Sequence, residues 1–220
     1  MLRAVMRGLV FFCDFDGTIV TRDTCVELCE RFADAKVWRA LEDQWQERKI
    51  GSMEMARAVL ATIDVPLSEI LRHLEHEEVC AGFTDFARHC ESNTFPLIIL
   101  SDGYEAIIQR ILARLGLSLP VYANSLIDNS VDGDVRITAD FPHANPECTR
   151  CACCKKTIIA RIMAAQVRPA RSVLIGDGRS DLCAAGCVDQ VYAKDRLAEY
   201  CAEEGIPFTL WKNFWDTYTT

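Results

Sequence analysis

Two carboxylates one residue apart, Asp14 and Asp16, stand in the run Asp14-Phe15-Asp16-Gly17-Thr18, directly after five apolar residues, Leu9 to Cys13. An unbroken apolar run of this kind reads as a strand covered on both faces, as in a parallel sheet. Side chains at i and i+2 leave such a strand on one side, and Gly17 lets the chain turn sharply behind them. Two acids crowded at a strand tip repel each other, so stability is a poor reason for them. The chemistry they suit is ligation of a hard cation through oxygen and the transfer of protons. The carboxyl end of a strand in an α/β sheet is where ligands bind.

Partners for such chemistry recur later, each at a strand tip. Leu97-Ile98-Ile99-Leu100 leads into Ser101-Asp102-Gly103, and Val173-Leu174-Ile175 leads into Gly176-Asp177-Gly178-Arg179-Ser180-Asp181. Between them Lys155 opens a helical pattern that runs to Gln166. On that helix Lys155 shares a face with Ile158, Ile159 and Ile162 and points inward, whereas Lys156 aligns with Ala160 and faces water. The ordered set D-x-D-G-T, Ser, Lys and G-D-x-x-x-D resembles the motifs of the haloacid dehalogenase (HAD) phosphohydrolase superfamily.

The resemblance implies a fold and a reaction. Asp14 is expected to be the nucleophile that forms an aspartyl-phosphate. Asp16 is expected to protonate the leaving oxygen and then to take a proton from water. The dehalogenase branch lacks this second acid, so Asp16 argues for phosphoryl chemistry. Lys155 is expected to pair with Asp14 and a phosphate oxygen. Ser101, Asp102, Gly103 and Thr18 are expected around the phosphate, although an acid at Asp102 would repel it unless its side chain turns away and leaves only the amide. Mg²⁺ is the expected cofactor, held by Asp14, Asp177 and the Asp16 carbonyl, with Asp181 holding a metal-bound water or orienting Lys155.

Those motifs need a scaffold. Candidate strands are 9–14, 97–101, 120–124, 172–177 and 189–193, with helical patterns between several of them, such as Tyr104–Leu115. This alternation predicts an α/β fold, a Rossmann-like parallel sheet with helices on both faces. Residues 22–82 lack any buried-strand signal and carry helical spacing, punctuated by Gly51 and Pro66. They are expected to form a helical insert after the first strand, with residues 1–21 and 83–220 as the catalytic core. The resemblance makes the insert the small helical cap of the phosphoserine-phosphatase-like branch, where Asp23, Trp45 and Arg48 are candidates for reading the substrate. Asp128 to Ala139 imitates a calcium loop, but the twelfth position is Ala139 rather than a bidentate Glu. Asp132-Gly133 there suits a hairpin turn.

Composition narrows the partners. The net charge of −8 disfavours nucleic acid and anionic membranes, and no apolar run approaches the length of a membrane span. Residues 1–8 are too short and interrupted for an export signal. The twelve cysteines therefore fit a reducing cytoplasm, and the scattered ones read as core packing. Cys148, Cys151, Cys153 and Cys154 precede Lys155. With Phe141-Pro142-His143 this segment resembles the methionine-salvage phosphatases, which cleave 2-hydroxy-3-keto-5-methylthiopentenyl-1-phosphate. Zinc at those four thiols is the lesser reading, because Cys153 and Cys154 are adjacent and awkward for one tetrahedron. Loop packing beside the site is preferred. The expectation is a monomeric or homodimeric phosphatase of a small phosphorylated metabolite. Phosphoserine- or phosphocholine-type esters, a phosphotransferase and a non-catalytic metal-binding module are the alternatives.

Overall fold

The computed structural model describes residues 8–148, 150–167 and 170–217; the expectation for the N-terminal leader falls largely outside them. Seven strands form one sheet in the order β4-β3-β2-β1-β5-β6-β7. They are β1 (Gly8–Cys13), β2 (Leu97–Tyr104), β3 (Val121–Asp128), β4 (Ile137–Asp140), β5 (Ala170–Gly176), β6 (Gln190–Ala193) and β7 (Thr209–Leu210). Every pairing is parallel except β3 with β4. β1 is central: Phe11 pairs with Leu97 on one side and Val173 on the other. The chain order reverses beside β1, between β2 and β5, which is where an open α/β sheet forms its crevice.

The period-two alternation of the strands divides the apolar residues between two cores. Phe11, Cys13, Ile99, Val173 and Ile175 face one side, with α5 (Phe83–Ser92), α6 (Glu105–Arg114) and the C-terminal Trp211 and Phe214. Val10, Phe12, Ile98, Leu100 and Leu174 face the other, with α7 (Lys155–Ala164), α8 (Leu182–Ala185) and α9 (Asp195–Glu203). Phe12 is fully buried, a burial that contributes about 2–3 kcal/mol. Phe86 meets Phe11 edge-on at 5.1 Å and stacks on Phe214 at 5.3 Å, so the C-terminal segment is clamped to the sheet.

Between β1 and α5 lie α1 (Thr24–Phe32), α2 (Ala35–Gln46), α3 (Ser52–Leu60) and α4 (Leu67–Leu74). Asp23 and Asp34 cap α1 and α2 by accepting two backbone N–H bonds each. An isolated bridge between Val20 and Val79 closes the base of the insert. Leu28, Trp38, Leu60, Ile70 and Leu74 are buried in the same cluster as Phe11 and Ile99. The insert therefore continues the core of one sheet face.

The hairpin forms as expected, with Ser125 opposite Asp140 and positive φ at both Asp132 and Gly133. Two readings change, and one strand carried no sequence signal. β2 continues past Ser101 to Tyr104, so α6 begins at Glu105. β7 has two residues, too few for any periodic signal. Cys183 and Cys187 are exposed instead of packed in the core. Among the described residues no helix is long and apolar enough to cross a membrane.

Candidate active site

The crevice beside β1 collects the acids. The Asp14 N–H donates to the Ile175 carbonyl at 2.9 Å, which stitches the tips of β1 and β5 together and sets Asp14 next to Asp177. Gly17 has φ +72°, and a Cβ there would collide with the Asp177 carboxylate. Glycine is thus required both for the left-handed turn and for the close approach. Oxygens of Asp14, Asp177 and Asp181 lie within 4.8 Å of one another.

Lys155, at the first position of α7, reaches into this cluster. Its Nζ donates to Asp14 Oδ1 at 2.6 Å, Asp181 Oδ1 at 2.7 Å and Ser180 Oγ at 3.0 Å. The residue is 2% exposed; Lys156 is exposed. Asp181 divides its labour. One oxygen holds Lys155, and the other accepts from the Asp177 and Gly178 N–H groups at 3.3 and 3.2 Å, so the acid is both a lysine partner and a turn cap.

Thr18 is fully buried and donates to Asp177 Oδ1 at 2.8 Å. Its proton is committed to Asp177, so the hydroxyl orients that carboxylate. Ser101 Oγ accepts from the Gly103 N–H at 2.9 Å and donates to Asp16 Oδ2 at 3.4 Å. A Cβ on Gly103 would lie 2.7 Å from Asp16 Oδ2, so the end of β2 touches the turn that follows β1. Asp16 Oδ1 accepts from the N–H and hydroxyl of Thr24 at 2.7 and 2.6 Å. The first turn of the insert therefore fixes the second acid.

The electrostatics follow from four acids around one buried amine. Burial raises the Asp14 carboxyl to about 7 against the pull of Lys155, with Asp177 adding to the rise. Burial and the Asp14 charge raise Asp181 to about 6. Burial and the neighbouring Asp23 raise Asp16 well above the carboxylate range, opposed by its bonds to Thr24. Burial works to lower Lys155, but Asp14 and Asp181 outweigh it and keep the amine charged. Negative charge exceeds positive here, and every ligand atom offered is a hard oxygen. That donor set fits a hard cation such as Mg²⁺, which the gathered carboxylates of Asp14, Asp177 and Asp181 could hold.

A stability measurement tests this balance. In chelator, Asp14 binds its proton up to about pH 7 in the fold but releases it near its ordinary 3.8 when unfolded. The folded state therefore holds more protons across that window, and stability falls as pH rises through it. Thermal melts with and without Mg²⁺ are expected to show a larger rise in Tm at pH 8 than at pH 5. An equal rise at both would contradict the charge assignment.

Of the cap candidates, Asp23 is brought to the site: its carboxylate, an Asp16 oxygen and the Cys25 sulfur lie within 4.8 Å of one another. Trp45 Nε1 donates to Ser52 Oγ at 3.1 Å, inside the insert. Arg48 is exposed in the turn that ends α2, with φ 61°. The four clustered cysteines diverge. Cys148 and Cys151 sulfurs are 3.6 Å apart, Cys153 donates to the Tyr122 carbonyl at 3.5 Å, and among the described residues no three thiols gather. Ser180, Thr24 and Cys25 escaped sequence reasoning. Ser180 lay inside the G-D-x-x-x-D motif and Thr24 next to a capping Asp, so a signal existed for both.

The sequence profile of the haloacid dehalogenase-like hydrolases matches residues 11–186. The chain belongs to that family. A 2-hydroxy-3-keto-5-methylthiopentenyl-1-phosphate phosphatase of Brevibacillus brevis is 34% identical over 96% of this chain and 93% of its own length. Its namesake in Geobacillus kaustophilus is 32% identical, over 96% and 94%. These relatives place the chain among the phosphatases of the family. Among solved structures, a phospho-aspartyl intermediate analogue of phosphoserine phosphatase superposes with a TM-score of 0.68 at 18% identity, over 96% of this chain and 97% of that one. That likeness supports the HAD-like fold.

Proposed function

We propose that this chain is an Mg²⁺-dependent phosphomonoesterase that works through a phosphorylated Asp14, with the methionine-salvage enol phosphate as its substrate. The observation that carries the reading is the convergence of Asp14, Lys155 and Asp181 at hydrogen-bond distance, with Asp177 and Asp16 on the adjoining loops. The substrate is supported by the names of relatives that match nearly the whole chain.

The residues divide the work. Lys155 holds one oxygen of Asp14, aims the carboxylate and favours its ionised form against burial. An Asp14 oxygen bonds to phosphorus while the ester P–O bond breaks, and Asp16 gives its proton to the departing oxygen. Water then attacks phosphorus, Asp16 takes back a proton, and the bond from phosphorus to Asp14 breaks, releasing phosphate. The raised Asp16 supplies that proton near neutral pH. Ser101 and Gly103, at the end of β2, would bind a phosphate oxygen. Bound Mg²⁺ supplies neutralising charge between a carboxylate and a dianionic phosphate.

Phosphate release over a panel of metabolite esters, with Mg²⁺ and with chelator, tests the reading. The methylthio enol phosphate is expected to give the highest kcat/KM. Equal turnover in chelator, or preference for an unrelated ester, would overturn the corresponding part. Asp16→Asn is expected to lower kcat about 100- to 10,000-fold on an alkyl ester. With p-nitrophenyl phosphate, whose leaving group needs no proton, the first-turnover burst of p-nitrophenol should be nearly unchanged while steady turnover still falls, because the base for water is lost. Pre-steady-state and steady-state rates on the two substrates together check both roles of Asp16.

A further inference from the structure

Asp102 sits between Ser101 and Gly103, yet the chemistry above leaves its carboxylate unused. Facing the site, it would repel a phosphate; it faces elsewhere. Its Oδ1 accepts from the N–H groups of Ala152 at 2.8 Å and Cys153 at 2.6 Å. The Ser52 hydroxyl also favours the charged carboxylate, and the Asp102 carbonyl accepts from Asn124 Nδ2 at 2.6 Å. Three segments distant in the chain thus meet on one acid. Ala152 and Cys153 immediately precede Cys154, the cap of α7, and Lys155, its first residue. Ser52 opens α3 in the insert; its N–H donates to the Arg150 carbonyl at 2.9 Å and its hydroxyl accepts from Trp45.

Ala152 and Cys153 are each 1% exposed, in a stretch without regular secondary structure. Their N–H groups have no ladder to join, so losing the carboxylate would leave two buried donors bare, which costs more than the bonds themselves contribute. The geometry points to Asp102 as a positioning residue that locks the loop delivering Lys155, and through Ser52 the insert, against the end of β2 that carries Ser101 and Gly103. The inference rests on the role of Lys155 in the function proposed above. A shift of about 1 Å in this loop would spoil the contacts of Lys155 with Asp14 and Asp181, and displacements of that size cost about 100-fold in rate. The same geometry accounts for an acid being tolerated at the end of β2 beside the proposed phosphate site: its charge is spent on N–H donors facing away.

The test compares Asp102→Ala with Asp102→Asn, which keeps the shape and one acceptor oxygen, using p-nitrophenyl phosphate. Asp102→Ala is expected to lower kcat about 10- to 100-fold with KM nearly unchanged, and Asp102→Asn to recover most of it. In a Lys155→Met background the same Asp102→Ala change is expected to cost less than about threefold, because its effect passes through the amine already removed. Full multiplication of the two losses, parent-like turnover in Asp102→Ala, or an Asn variant no better than Ala would each overturn the assignment. Amide exchange over residues 152–158 gives a readout independent of turnover. Faster exchange in Asp102→Ala supports the tether and unaltered exchange refutes it, even if the parent protein cleaves no phosphoester and the proposed function itself fails.

Discussion

Asp14→Asn is expected to abolish turnover, lowering kcat by about four to six orders of magnitude, as removal of a nucleophile that acts in a unit does. The amide has the shape of the acid but neither its charge nor its nucleophilic oxygen. Stability should not fall with activity. The parent crowds Asp14, Asp16, Asp177 and Asp181 around one amine, and burial together with Asp177 already pushes Asp14 up to about 7. Removing one negative charge relieves that crowding, while Lys155 keeps Asp181 at 2.7 Å. The variant is therefore expected to melt in chelator at pH 8 at or above the parent temperature. Rapid quench with labelled substrate should leave phosphate on the peptide carrying residue 14 in the parent and none in the variant. Turnover at the parent rate would remove Asp14 from the reaction.

Lys155→Met should damage both stability and rate. Methionine fills the channel of the lysine stem but leaves Asp14 and Asp181, 5% and 0% exposed, without a counter-charge. Breaking a buried ion pair from one side costs about 3–5 kcal/mol, and kcat is expected to fall at least about 100-fold. The sign with pH identifies the cause. Both acids have raised pKa values in the fold, so acidification returns their protons and removes the uncompensated charge. The stability deficit is expected to be large at pH 8 and to shrink toward pH 5. An equal deficit at both values would mean that lost packing, not charge, sets the cost. Lys155→Arg should not restore the rate, because a planar fork cannot place one donor on Asp14, Asp181 and Ser180 together.

The two experiments bear on different links of one argument. The first asks whether the acid at the tip of β1 reacts, and the second whether the helix that follows the cysteine segment exists to hold it ready. The buried amine contributes to the fold only because buried acids, Asp14 and Asp181, surround it. A site of this kind carries its own electrostatic strain, which the proposed cation and Lys155 offset.

Much of this was legible in the chain itself. Unbroken apolar runs at Leu9–Cys13, Leu97–Leu100 and Val173–Ile175 marked the central strands, because a strand buried on both faces leaves no place for a polar residue. The acids at their ends, and an amine backed by Ile158 and Ile159, marked the family. The Asp132-Gly133 turn was readable because two successive positive φ values demand such residues. Tertiary structure alone decided how these parts are joined. Thr18 bonds Asp177 across 159 positions, Thr24 clamps Asp16 from the insert, and Asp102 reaches a loop fifty residues on. None of these has a period or a composition to reveal it: a hydroxyl or carboxylate has several partners within reach of its type, and only the packing of β1, β2 and β5 side by side selects one. The residue types follow from the chemistry they must do, whereas their orientation follows from which neighbours the fold leaves unsatisfied.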